Sequence, residues 1–209
     1  MAVVVSTSPT LELPKHLDSL IGQTVPRERR ALAALAKAAP PRMCIVEVGT
    51  FCGQLAISMA WGSAQGNKIP IYAVDPHTTF TGRVDTGEVY GPCDMYEMYK
   101  NLANQPPEIA TLVYCVAVPS AVAAARWPPY SVALLVIDAL HDTSSTKTVF
   151  HGWAHTLTSG SRVAFHDTNY DSVVQAIQEL QDEGVQLTAL YTPSRSLTIY
   201  DYRITEKVP

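Results

Sequence analysis

Hydrophobic positions along the chain follow two spacings in turn. Short β-branched or apolar runs fall at 43–48, 69–74, 110–117, 131–137 and 161–165, and stretches with apolar residues three and four apart lie between them. The runs predict strands buried on both faces, and the intervening stretches predict helices over 52–62, 94–104, 119–126, 144–156 and 172–183. An earlier helix starts at Pro26, carries Leu32 and Leu35 on one face and stops at Pro40-Pro41. The last helix is expected to open on Asp171 as its N-cap and to close at Gly184. After Gly184 two strands, 185–191 and 196–202, are separated by Thr192-Pro193-Ser194-Arg195, too few residues for a crossover, so they should pair antiparallel. The expected architecture is α/β: a doubly wound, seven-stranded sheet, mostly parallel, with a C-terminal antiparallel hairpin.

Residues 1–25 show no such period and are read as an N-terminal arm ahead of a single domain over 26–209. The stretch 76–93 also lacks an apolar period, and following the second strand it belongs at the carboxyl edge of the sheet, where open α/β folds bind ligands. At 209 residues, 47% hydrophobic and 16% charged, the chain has enough apolar material for one well-filled core. A net charge of -4 without a Lys or Arg run argues against nucleic acid or an anionic membrane as a partner. The opening residues lack the positive flank of a secretory signal, and no run nears the roughly 20 apolar residues of a membrane span, so a soluble cytoplasmic protein is expected. Cys44, Cys52, Cys93 and Cys115 show no CxxC spacing, and three of them sit in or beside apolar runs where free Cys acts as a small core residue, so neither a disulfide framework nor a zinc knuckle is expected.

Chemistry concentrates at Ile45-Val46-Glu47-Val48-Gly49-Thr50-Phe51-Cys52-Gly53, a strand entering a helix through a turn with two glycines. Gly49 permits a tight turn and close approach of a ligand to bare backbone, while the following helix aims its free amides at the same spot. The dinucleotide fingerprint GxGxxG is absent, and Phe51 leaves little room for a pyrophosphate. Asp75 ends the second strand, a little over 20 positions later, where such folds place a carboxylate on both ribose hydroxyls. Glu47 argues further against a phosphate and suits a cationic or amino-acid-like ligand.

On these residues the chain resembles the class I S-adenosylmethionine-dependent methyltransferases, with Glu47-x-Gly49-x-x-x-Gly53 as their first motif and Asp75 as their second. Val136-Ile137-Asp138-Ala139-Leu140-His141 and Ser159 to Asp167 are similar to the small O-methyltransferases that include catechol O-methyltransferase and the cephamycin and macrolide tailoring enzymes. The resemblance spans 26–202 and implies a Rossmann-like fold, S-adenosyl-L-methionine as cofactor and a small-molecule acceptor, O-methylation being expected and N-methylation left open. It implies cofactor contacts from Glu47, Gly49, Thr50, Phe51, Gly53, Asp75, Ser120 and Asp138, although Pro119 stands where the family usually has an Asp.

By the same resemblance His141, three residues after Asp138, is the candidate base, with Asp138 beside it in the catalytic centre; the alternative is a loop histidine bonding Asp138 or Asp142. Thr143 and Val149 stand where the family often has an aromatic and an acid. Metal-dependent members imply a Mg²⁺ or Mn²⁺ site on Asp138, His166 and Asp167, with Asn169 nearby. His151 and His155, one helical turn apart, lack the Glu of a zinc hydrolase helix and are read as surface residues; the role of His77 is left open. Tyr90, Tyr96 and Tyr99 with Met95 and Met98 read as an acceptor wall or as helix packing. The rival functions are a catalytically silent nucleoside-binding or scaffold protein and, behind it, a nicotinamide oxidoreductase; a homo-oligomer is compatible with any of them.

Overall fold

The first strand, β1 (Cys44–Val48), is buried at every position because both of its faces are covered. Cys44, Val46 and Val48 join one apolar core and Ile45 the other, the alternation that a strand's two-residue period imposes. Glu47 falls on the Ile45 side, where a further apolar residue would be expected. The structure, a computed structural model, describes residues 8–78, 81–83, 88–89, 95–138 and 140–204.

Beside β1 lie β2 (Ile71–Val74) and then β5 (Val113–Val116) on one side, and β6 (Val132–Ile137), β7 (Leu157–His166), β9 (Leu197–Arg203) and β8 (Gln186–Ser194) on the other, a seven-stranded sheet of order β5-β2-β1-β6-β7-β9-β8. The five strands up to β7 pair parallel, and β9 pairs antiparallel with both β7 and β8. The seven strands, the doubly wound order and the terminal hairpin match the sequence expectation. The chain runs outward from β1 and returns to β6, so the order reverses between these neighbours and opens a cleft at their carboxyl ends.

Helices α1 (Pro26–Ala38), α2 (Gln54–Ala64), α3 (Met95–Ala103) and α4 (Pro107–Ala110) bury Leu32, Leu55, Met98 and Ile109 in one core. On the other face α5 (Ser120–Ala125), α6 (Thr143–Trp153) and α7 (Asp171–Asp182) contribute Ala124, Phe150, Trp153 and Leu180. Helices α1 and α2 meet almost backbone to backbone at Gly62, where a Cβ would lie 2.0 Å from the Ala33 carbonyl oxygen. Gly62→Ala should therefore destabilise the fold by about 1–3 kcal/mol despite alanine's better helix propensity, because the helices must part. Denaturant unfolding checks this, and an unchanged midpoint would mean that the helices separate freely.

Several boundaries differ from the sequence reading. Asp171 is the first helical residue of α7 and Tyr170 is the N-cap, without a side-chain cap bond, whereas Gly184 closes the helix as expected, at φ 92°. The Val185 amide reaches Leu180 and the Gly184 amide reaches Gln181, satisfying two of the last carbonyls. The 110–117 run is split: Pro107 starts the short α4, and pairing begins only at Val113. The stretch 76–93 contains a small antiparallel hairpin, β3 (Thr81–Arg83) with β4 (Glu88–Val89). In the N-terminal region Lys15–Ser19 form a 3₁₀ turn that buries Leu17, and the Gln54 side chain donates to the Leu20 carbonyl at 2.8 Å. Cys52 is disulfide-bonded while Cys44 and Cys115 are free, which corrects the expectation of no disulfide; sequence spacing does not show which thiols meet in space. Among the described residues no helix is long and apolar enough to cross a membrane.

Candidate active site

Leaving β1, the chain turns through Gly49 at φ 91°, Phe51 at φ 50° and Gly53 at φ 81°, left-handed positions that a straight passage from strand to helix would not need. The turn is held by side chains at both ends. Thr50 donates to the Glu47 carboxylate at 2.7 Å, and the Phe51 amide donates to Asp75 Oδ2 at 2.9 Å. The other Asp75 oxygen accepts from the His77 amide at 2.8 Å, and His77 is itself left-handed at φ 50°. Asp75 thus joins the ends of β1 and β2. Each oxygen spends one lone-pair direction on the protein and keeps another for a ligand.

A cavity of about 620 Å³ opens over this turn. Glu47, Gly49, Thr50, Phe51 and Asp75 line it from the β1 and β2 ends, Ser120 from the start of α5, and Asp138 and His141 from the loop after β6. Gly53 faces Met98 instead. Ser120 accepts from the Trp153 indole at 2.9 Å, which leaves its own hydroxyl proton to donate. Pro119 lines the cavity beside it in place of an acid.

Burial pushes the Glu47 carboxyl up to about 8, with the Thr50 hydrogen bond opposing and Asp138 and Asp75 adding to the rise. The folded protein therefore holds a proton that the unfolded chain releases near its ordinary pKa, and stability falls as pH rises from about 4.5 to 8. Glu47→Gln removes this penalty. Relative to wild type the variant should gain on the order of 4 kcal/mol between pH 5 and pH 9, measured by denaturant unfolding at both; a pH-independent difference would contradict the assignment. A cationic group placed against Glu47 would draw its proton off, consistent with the amino-acid-like ligand that the sequence suggests.

The second cluster sits where β6 and β7 end. Asp138, His141 and Asp167 are partly buried, with ligand atoms all within 4.8 Å of one another. His141 Nδ1 lies 3.1 Å from Asp167 Oδ2. Asp167 is held at φ 55°, a conformation that non-glycine residues rarely adopt and that tends to cluster at functional sites. His166, nearly buried, lies outside this trio: its Nδ1 is 3.1 Å from Asp138 and 2.9 Å from Asp167, and its Nε2 is 3.3 Å from Glu28. Burial alone would lower its pKa, but Asp138, Asp167 and Glu28 together hold it well above the ordinary value. Both ring nitrogens face carboxylates, the arrangement of a doubly protonated imidazolium.

Residues 46–168, more than half of the chain, match the methyltransferase-domain family. The chain belongs to the class I S-adenosylmethionine-dependent methyltransferases. It is similar in structure to TomG, an O-methyltransferase from Streptomyces achromogenes (TM-score 0.65, 15% identity, 92% of each chain covered). The calicheamicin methyltransferase CalS11 aligns with TM-score 0.64 at 19% identity over 83% of this chain and 77% of that one, and the O-methyltransferase NovP with 0.62 at 15% over 91% and 80%. No curated protein sequence matches significantly.

Within this methyltransferase, the sequence reading did not anticipate Glu28, Gln54 or the arm residues Gly22, Gln23 and Thr24. The last four line the cavity, and Thr24 donates to Gln54 at 2.9 Å. Gln54 alone carries a visible signal, a polar residue opening the largely apolar α2; the arm residues carry none. Asn169 is exposed, and His151 is an exposed partner of Glu183 at 2.9 Å. Met98 is fully buried, whereas Tyr96 and Tyr99 are exposed; Tyr90 and Cys93 lie outside the described residues.

Proposed function

We propose that this methyltransferase transfers a methyl group to a hydroxyl oxygen of a small molecule, with His141 as the base that takes the acceptor proton. The observation that carries the reading is the His141–Asp167 pair at 3.1 Å, with His141 on the cavity wall beside Asp138. With Nδ1 directed at Asp167, Nε2 is the nitrogen left to meet an acceptor, and the carboxylate stabilises the ring once it is charged. TomG and NovP are described as O-methyltransferases, and CalS11 as acting on the 3′ oxygen of a TDP-rhamnose, which favours a hydroxylated acceptor.

The cavity suits the cofactor. Its volume is in the range of small-molecule sites, Asp75 offers two free acceptor directions for a ribose diol, and Glu47 lies within reach of an amino-acid moiety. S-adenosylmethionine supplies, when bound, an electrophilic methyl group on its sulfonium. The chain's part is to align the acceptor with it and to exclude water. Gly22, Gln23 and Thr24 bring the arm, 1–25 in our division, onto the wall of the unit over 26–209.

A second reading rests on the trio itself. Two carboxylates and an imidazole with ligand atoms within 4.8 Å fit a divalent cation such as Mg²⁺ or Mn²⁺. A bound ion would supply positive charge that lowers the acceptor's pKa. His166 turns both ring nitrogens toward carboxylates, so His141 is the third donor in this reading and His166 stands behind Asp138 and Asp167. Incubation with methyl-labelled cofactor and a panel of catechols, phenols, nucleotide sugars and macrolides tests the proposal. Cofactor binding without transfer to any hydroxyl would favour the silent reading. Full activity after chelator treatment assigns the work to His141 and Asp167, and loss restored by Mg²⁺ or Mn²⁺ assigns it to the ion.

A further inference from the structure

We propose that Glu28 is a positioning residue of the transfer site: acting through His166, it holds the Asp138 and Asp167 carboxylates side by side. The proposal rests on the reading of those two aspartates and His141 as the reacting centre, and it applies whether they orient a base or hold an ion.

Glu28 lies in the first turn of α1, far from the site in sequence, and is only 1% exposed. A carboxylate so deep is rare unless paired. Its helix-capping role explains one contact, from the Val25 amide to Oε2 at 2.9 Å. The other partners come from the opposite end of the chain. The hydroxyls of Ser194 and Ser196, at the turn between β8 and β9, both donate to Oε1, and His166 Nε2 donates to Oε2 at 3.3 Å. Burial alone would raise the Glu28 pKa, yet these hydrogen bonds from His166, Ser194 and Ser196 outweigh it and bring the carboxyl to about 2.

An exposed capping glutamate would need none of this. Glu28 is fastened on three sides, and its second oxygen faces one nitrogen of a ring whose other nitrogen lies 3.1 Å from Asp138 Oδ1 and 2.9 Å from Asp167 Oδ2. Because the imidazole is rigid, fixing Nε2 fixes the direction in which Nδ1 points. Nδ1 lies within hydrogen-bond reach of one oxygen of each aspartate, so the direction in which the ring points sets where both carboxylates sit. Asp167 passes the constraint on to His141 Nδ1 at 3.1 Å. The series Glu28, His166, Asp167, His141 thus links the first helix and the terminal hairpin to the candidate base.

The test uses full-length Glu28→Ala and Glu28→Gln, with Asp167→Asn as reference. Mn²⁺ binding is followed by electron paramagnetic resonance, S-adenosylhomocysteine binding by calorimetry, and the His141 ring signals by NMR in metal-free protein. Groups bonded directly to metal ligands typically contribute about 10- to 100-fold to affinity. Glu28 acts one contact further out, through His166, so Glu28→Ala should weaken Mn²⁺ by about 10-fold, the lower end of that range. Glu28→Gln, which still offers His166 an acceptor oxygen, should lose less; it also serves if the alanine variant does not fold. Cofactor-product affinity should fall by less than Mn²⁺ affinity, since Asp75 and Glu47 take their hydrogen bonds from Thr50, Phe51 and His77, and the His141 signals should move in both variants. Folded variants with wild-type Mn²⁺ affinity and unmoved His141 signals would overturn the proposal and leave Glu28 a helix cap. If the wild type and Asp167→Asn both bind no Mn²⁺, the metal reading fails by itself, and the His141 signals then decide the role of Glu28.

Discussion

Replacing His141 with alanine is expected to lower turnover by about 100- to 10,000-fold, the usual contribution of a general base, while cofactor affinity stays nearly intact. The ring is on the cavity wall, whereas its backbone is fixed elsewhere: the His141 carbonyl accepts from the Ser172 hydroxyl of α7, and the Asp138 amide is bound to Val48 of β1 at 2.9 Å. Removing the imidazole should therefore leave the loop in place and take away only the proton acceptor. The contrast with Asp167→Asn is informative. Asparagine can still occupy the space next to Nδ1 but cannot stabilise a charged ring, so it should lower turnover less than His141→Ala if the ring is the base. Single-turnover kinetics with an acceptor found in the transfer assay measure both. An unchanged rate in His141→Ala would make the ring structural.

Features decided between chain neighbours were legible in the sequence. The glycine turn, Asp75 at the end of β2 and the terminal hairpin each follow from a few adjacent residues whose backbone requirements are local. Features decided by contacts between distant segments were not. Glu28 looks like an ordinary capping-box acid in a helix of good helix formers, and only the fold brings Ser194, Ser196 and His166 to it. His166 was read as a metal ligand because the pair His166-Asp167 stands where metal-dependent members of the resembled family place two adjacent ligands. In the folded protein its nitrogens face carboxylates on both sides, and the imidazole that completes the trio is His141, which the sequence reading had reserved as a base. The bound state of Cys52 was invisible for the same reason. Backbone strain points to the site more sharply than composition does: Phe51, His77 and Asp167, three of the five left-handed non-glycine residues, follow strands β1, β2 and β7 at the carboxyl edge. Arg42 and Lys68, the remaining two, precede β1 and β2 at the opposite end of the sheet.

Asp75→Ala is expected to weaken S-adenosylhomocysteine by at least about 100-fold, since each hydrogen bond to a charged group is worth about 1.5–3 kcal/mol and about 1.4 kcal/mol is tenfold in affinity. Two such bonds to the ribose account for that figure. A further loss comes from the protein, because the same carboxylate accepts from the Phe51 and His77 amides at 2.9 and 2.8 Å and so holds both left-handed residues beside the cavity. Asp75→Asn should fare little better. An amide has an acceptor oxygen on one side only, and its NH₂ would face a backbone N–H that now meets the carboxylate. The two effects can be separated: loss of the ribose contacts weakens the nucleoside product and adenosine alike, whereas a disordered turn also lowers the melting temperature of the ligand-free protein. Calorimetry on wild type, Asp75→Ala and Asp75→Asn, paired with thermal unfolding without ligand, measures both. Equal affinity for S-adenosylhomocysteine in wild type and Asp75→Ala would remove Asp75 from the cofactor site and leave it as the tie between β1 and β2.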